Sequence, residues 1–254
     1  MRLAFPPLTP AIKGLLIANV SIFVLTALLT NFGGSTFVWD TLALSPSEVF
    51  AGRIWQPFTY MWLHSVSGTG HLLGNMLFLY LFGAQFEQET SPRRTVQTFV
   101  LAGLGGAAAA VLVPALWHVL PFNVPVLDRA WTIPTVGASG AVGGIVAAWC
   151  GLYWGQKKSF FLVGSIPVAY FFYFLLALQV LGALVSDGIS SSCHIGGMLT
   201  GLALGRGNIL TRVNVWWERR KLLSKKAELE KELGRFEVIE GGRDKEDGGD
   251  DWIH

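Results

Sequence analysis

Residues 136–155 read Val136-Gly137-Ala138-Ser139-Gly140-Ala141-Val142-Gly143-Gly144-Ile145-Val146-Ala147-Ala148-Trp149-Cys150-Gly151-Leu152-Tyr153-Trp154-Gly155. The run carries no charged side chain, and about 20 apolar residues are what a helix needs to cross the hydrocarbon of a bilayer. Gly140 and Gly144 stand four apart, so they share a face and let another helix backbone come close. Ser139 opens the run's glycine-rich half. The stretch predicts a membrane helix with a groove of small residues and a hydroxyl at one end.

The apolar pattern recurs on both sides, over about 11–31, 70–88, 95–117, 159–185 and 190–209. With 136–155 this makes six predicted spans. Composition agrees: of 254 residues, 52% are hydrophobic and 14% charged, with a mean hydropathy of +0.47. Soluble domains carry about 25% charged residues. The charge is also segregated, since residues 206–254 hold 11 of the 19 Lys+Arg and 11 of the 17 Asp+Glu. The expected fold class is an all-α polytopic membrane protein: a six-helix membrane body over 1–210, then a cytoplasmic amphipathic helix and flexible charged tail over 211–254.

Lys and Arg accumulate on the cytoplasmic side of a membrane, and they fix an expected orientation. Arg2 and Lys13 flank the first span, Arg93 and Arg94 the second connection, Lys157 and Lys158 the fourth, and the basic tail follows the sixth. The opposite side has Arg53 in a long first connection and then Arg129. Both termini are therefore expected in the cytoplasm, which suggests a bacterial inner-membrane protein, with an organellar member as the alternative. The first apolar run is too long for a signal peptide, and Leu28-Leu29-Thr30-Asn31-Phe32 replaces a small-residue cleavage site, so it is read as a retained span.

The first outer connection, about 32–69, is rich in aromatics (Trp39, Phe50, Trp55, Phe58, Tyr60, Trp62) and is expected in the interface with its rings at headgroup depth. Trp216 and Trp217 read as an inner interfacial anchor. Beyond them Leu222, Leu229, Leu233 and Phe236 recur at helical spacing, predicting an amphipathic helix over about 212–236. That helix has itself, another protein or the lipid bilayer as candidate partners. Residues 241–251 have the composition of a disordered segment.

Several function classes fall away. A net charge of +2 without a basic stripe gives no footprint for nucleic acid. Cys150 and Cys193 form neither a disulfide framework nor a metal spacing. No His-Glu-x-x-His is present, the spans hold no pair of aspartates, and no cofactor or metal is expected. A channel or transporter would place ionisable residues near the midplane, and the third and fifth spans have none.

Polar groups in hydrocarbon are costly and ask for a reason. Four stand out: His71 and Asn75 starting the second span, Ser139 starting the fourth, His194 starting the sixth. Even-numbered spans all run inward, so the four share one shallow depth below the outer face. Each alone has a bland reading, as a satisfied polar residue near a helix end. The sixth span continues through Gly197 and Gly201, a second small-residue groove. If Gly197 and Gly201 face Gly140 and Gly144, imidazole and hydroxyl come within hydrogen-bond reach. A neutral imidazole taking a serine proton activates a weak nucleophile, and two neutral donors suit a developing oxyanion. Asp128 and Asp187 lie in connections and Glu87 near the inner face, so a Ser-His dyad is the economical set.

On these residues the chain resembles the rhomboids, a family of intramembrane serine proteases. The resemblance spans about residues 8–205 and rests on His71-Leu72-Leu73-Gly74-Asn75, Gly137-Ala138-Ser139-Gly140 and His194-Ile195-Gly196-Gly197-Met198-Leu199-Thr200-Gly201, in order on the second, fourth and sixth spans. It implies a rhomboid-like six-helix bundle that cleaves transmembrane protein substrates near their outer end. It also implies Ser139 as nucleophile, His194 as general base, Asn75 with the Ser139 N–H as oxyanion hole and His71 assisting. Glu87 matches a structural position, and Phe171-Phe172-Tyr173-Phe174 falls where the family has a proposed side gate, though lipid-facing packing explains most of those rings. Gln56 and Gly143 depart from common family residues; Gly143 stands where many members stack a tyrosine on the histidine. Cys193 reads as packing and His64 as structural. The alternative is a catalytically inactive relative that binds membrane helices.

Overall fold

The computed structural model describes residues 5–66, 69–119, 130–160, 164–185, 189–207 and 209–233. Asp128, Arg129, Asp187 and the segment 241–251 lie outside the described residues. Backbone contacts divide the chain into two units, Met1–Leu210 and Thr211–His254.

Long apolar segments must satisfy their backbone groups internally, and this chain does so with helices. Helix α1 (Pro10–Asn31) is followed by short helices α2 (Phe37–Leu42), α3 (Pro46–Phe50) and α4 (Gln56–Thr59). The predicted second span is a continuous run of α5 (Gly70–Phe78), a π turn (Leu79–Gly83) and α6 (Ala84–Glu89). Then come α7 (Pro92–His118), α8 (Ser139–Leu152), strands β1 (Lys157–Phe160) and β2 (Gly164–Pro167), α9 (Val168–Val185), α10 (Ile189–Arg206) and α11 (Ile209–Leu233). Among the described residues, α1 and α7 are long and apolar enough to cross a membrane, while α8 and Val168–Ala183 are shorter apolar helices.

Three sequence expectations change. The stretch 136–155 yields a helix of 14 residues, about 21 Å at 1.5 Å per residue, shorter than the hydrocarbon layer of about 30 Å. It is buried on nearly every side, Gly140 to Val142 and Gly144 to Gly151 included, so surrounding protein rather than its own length shields its ends. The stretch 159–185 begins as an antiparallel hairpin pairing Lys157 with Pro167 and Phe160 with Gly164. Gly164 takes a positive φ of 79°, which suits glycine, and Pro167 has no N–H to continue a helix backward. The tail helix forms, but its apolar side chains do not collect on one face. Arg219 and Lys226 each stand three or four residues from Leu222 and Leu223 and interrupt the stripe. Its described side chains are exposed.

The centre of the first unit is α8 held between α7 and α10. A Cβ at Gly197 would overlap the Gly140 carbonyl oxygen, one at Gly201 would overlap that of Gly144, and one at Gly144 would overlap Ala102 on α7. The two small-residue grooves therefore face each other. Gly137 precedes the helix with φ of 134°.

Charged and polar caps tie the helix ends together. Glu87, 5% exposed, accepts from Thr9 Oγ1 at 2.6 Å, Ala11 N at 3.0 Å and Ile12 N at 3.0 Å. A carboxylate is thus placed on the unpaired N–H groups that begin α1. At the far end of α10, Arg94 Nη2 donates to the carbonyls of Leu204 and Gly207 at 3.2 and 3.4 Å.

The first long connection divides by side. Phe50, Ile54, Trp55 and Phe58 are exposed, while Tyr60, Met61 and Leu63 are buried. It also clasps the chain that leads into α8. Leu44 and Thr135 exchange backbone hydrogen bonds of 2.9 and 2.8 Å, and the Gly137 N–H donates to the Tyr60 carbonyl at 3.1 Å. Tyr60 Oη in turn donates to the Gly103 carbonyl at 2.7 Å. Gln56, at a position departing from the family pattern, is buried and accepts from Ser45 N at 3.1 Å. Of the aromatic run on α9, Phe172 is buried against Trp154 and Phe171 stacks on Phe82 at 5.7 Å, whereas Tyr173 and Phe174 are exposed.

Candidate active site

The turn before α8 sets the site. Gly137 bends the chain so that Ala138 caps the helix and Ser139 is its first residue. The N–H groups of a helix's first turn have no intrahelical acceptor, so the Ser139 N–H is a free donor beside its own hydroxyl. A Cβ at Gly137 would lie 2.8 Å from His71 Cε1 and 3.5 Å from Ser139 Oγ. Glycine there leaves room for the imidazole of α5 to approach the serine.

His194 reaches the same point from α10, one turn before Gly197. Close approach of the two backbones brings its Nε2 to 2.6 Å from Ser139 Oγ. Its other ring nitrogen, Nδ1, is 2.7 Å from Gln179 Oε1 on α9. An amide oxygen only accepts, so Nδ1 carries the proton and Nε2 presents its lone pair to the serine hydroxyl. That is the tautomer a general base needs.

Asn75, one turn after His71 on α5, is 7% exposed, and its Nδ2 lies 3.2 Å from His64 Nε2. One amide hydrogen serves His64 and the second is left for the cavity. His64 is fully buried and its ring sits 5.6 Å from that of His71. Burial first, and the neighbouring His71 second, push the His64 pKa down to about 4, so it is a neutral acceptor at ordinary pH. Ser139, His194, His71 and Asn75 line one cavity of about 410 Å³. Its remaining wall is mostly apolar, with Phe78, Val142, Val146, Leu175, Leu178 and Met198. Gly143 lines it too and contributes no side chain against the imidazole.

A hydroxyl donating to a neutral imidazole, with amide and backbone donors beside it in an apolar cavity, is the arrangement that acyl transfer requires. Two of its residues carry no motif. Gln179 is one polar side chain in an apolar run, a signal that intramembrane polarity alone could have raised. His64 was visible as a residue, but only the bend of the first connection brings it under Asn75. No group of three or more His, Cys, Asp or Glu able to hold a metal occurs among the described residues.

A family model for the rhomboid domain matches residues 51–209. The chain belongs to the rhomboid family. This rhomboid is therefore an integral membrane protein. Its relatives include three from Arabidopsis thaliana. RHOMBOID-like protein 4 is 28% identical over 79% of this chain and 52% of its own length. RHOMBOID-like protein 6, mitochondrial, is 28% identical over 65% of this chain and 47% of its own. RHOMBOID-like protein 2 is 30% identical over 65% of this chain and 45% of its own. The chain thus spans about half the length of the curated relatives it matches. The family match takes in all three motifs, from His71 to Gly201.

Proposed function

We propose that this rhomboid is a serine endopeptidase that hydrolyses transmembrane protein substrates near the extracytoplasmic face. The observation that carries this reading is the 2.6 Å approach of Ser139 Oγ to His194 Nε2. As Oγ attacks the scissile carbonyl carbon, Nε2 takes its proton, and the carbonyl electrons move onto oxygen. Asn75 and the Ser139 N–H donate to that oxyanion, with His71 beside them. Collapse breaks the C–N bond while the imidazolium returns its proton to the leaving amine, leaving an ester on Ser139. Water then attacks the ester carbonyl, loses its proton to Nε2, and releases the carboxylate product with Ser139 restored.

The apolar cavity wall suits a substrate segment drawn from lipid, and backbone unpaired within it must come from a helix that unwinds readily. The substrate class is accordingly a membrane helix with small or helix-weakening residues near its outer end. Six spans with both termini cytoplasmic, in a bacterial inner membrane, agree with the distribution of Lys and Arg. No metal or cofactor enters the chemistry.

The test is labelling of the purified protein in detergent or lipid by a fluorophosphonate probe, wild type against Ser139→Ala and His194→Ala. Labelling and cleavage of a model transmembrane helix are expected in the wild type and lost in both variants, with thermal stability retained. A wild type that binds the helix but neither labels nor cleaves would instead fit an inactive helix-binding relative.

A further inference from the structure

We infer that Gln179 is a positioning residue for the general base, acting on Ser139 only through His194; the inference rests on the protease reading above. Four observations carry it. Gln179 Oε1 lies 2.7 Å from His194 Nδ1 while the opposite ring nitrogen meets Ser139 Oγ at 2.6 Å, so one imidazole is held at both ends. Gln179 comes from α9, the serine from α8 and the histidine from α10, so the contact ties three helices at one point. The residue is the sole hydrogen-bonding amide in α9, whose other side chains from Val168 to Leu181 are hydrocarbon or aromatic apart from two tyrosine hydroxyls. And Gly143, one turn after Ser139, offers nothing to pack on the ring.

A histidine is free to carry its proton on either nitrogen and to rotate about its side-chain bonds. With its amide oxygen on Nδ1, Gln179 favours the Nδ1–H tautomer and points Nε2 at the hydroxyl. When Nε2 takes the serine proton the ring becomes cationic, and the same contact strengthens as a hydrogen bond from a charged donor. The gain appears in the transition state more than in the resting enzyme, so its removal lowers kcat rather than raising KM. Gln179 does this without a carboxylate, leaving the cavity uncharged before reaction.

The experiment compares wild type, Gln179→Leu and Gln179→Glu by the rate of fluorophosphonate labelling and by cleavage of a model transmembrane helix across pH. Gln179→Leu keeps the volume and removes the acceptor; labelling and kcat are expected to fall about 10–100-fold, the size of a hydrogen bond to a charged group, with KM within about two-fold. Gln179→Glu restores the acceptor, so labelling above that of Gln179→Leu is expected. Its carboxylate also favours the imidazolium, so the acid limb of the pH–rate profile moves upward. His71, the other titratable side chain lining the cavity, is unchanged in each variant and cannot produce the difference. Wild-type rates in Gln179→Leu, or an unmoved acid limb in Gln179→Glu, would overturn the role, and the second result decides the matter even if Gln179→Leu does not fold. A wild type that fails to label would overturn the protease reading instead.

Discussion

The distance between Ser139 and His194 is set by glycines one to two turns away, and Gly201→Ala measures how firmly. The added Cβ would stand 2.5 Å from both the carbonyl carbon and the Cα of Gly144, where ordinary contact begins at 3.4 Å. Those atoms are backbone, so α8 and α10 must part by about 1 Å, as close-packed interiors do not yield locally. Ser139 Oγ and His194 Nε2, now 2.6 Å apart, would open toward about 3.6 Å, beyond a hydrogen bond. A misplacement of about 1 Å in a reacting pair costs on the order of 100-fold, and overpacking destabilises by about 1–3 kcal/mol. Labelling rate and thermal unfolding are read in the same preparation. Gly14→Ala is the control, because a Cβ there meets nothing within 4 Å and alanine favours a helix by about 0.5–1 kcal/mol. Wild-type labelling in Gly201→Ala would refute the claim that helix separation governs the dyad.

Three further outcomes follow from the same contacts. Asn75→Ala is expected to lower turnover about 10–1000-fold, as loss of one oxyanion donor does, and an unchanged rate would reduce Asn75 to a scaffold. Glu87→Gln leaves one acceptor where the carboxylate serves three donors; about 1–3 kcal/mol of stability should go, and an unaltered melting temperature would contradict the cap. His64, buried and with its pKa pushed down to about 4, folds as the neutral ring. Its contribution is complete above about pH 6.5, the ordinary value, and is lost as pH falls toward 4, amounting to about 3 kcal/mol. The wild-type melting temperature should therefore drop more steeply between pH 7 and 4 than that of His64→Gln, and parallel profiles would exclude the effect.

Much of the site is legible one motif at a time. Glycine spacing on 140–144 and 197–201 marks faces that can meet another helix, because residues without side chains let two backbones touch; that these two meet each other is seen in the structure. His71, Asn75, Ser139 and His194 stand out as polar residues at the starts of apolar runs, and the structure places all four on one cavity. Other features have no local signature. Gln179 and His64 pair with residues 15 and 11 positions away, and in neither pair do the partners share an element, so no period along one helix links them. The hairpin at 157–167 sits inside a run whose hydropathy alone continues the following helix. Gly137 resembles its neighbours in composition, yet its φ places it with the turn and His71.

The sequence by itself determined that this chain lives in a bilayer, that small residues recur at helical spacing along it, and which four polar side chains ask for a reason there. Those properties depend on composition and on periods of three and four residues, and both are written along the chain. Only the tertiary structure decided where α8 begins, what faces each ring nitrogen of His194, and what holds Asn75. These depend on the direction of single side chains across helices, where a shift of about 1 Å separates a hydrogen bond from none.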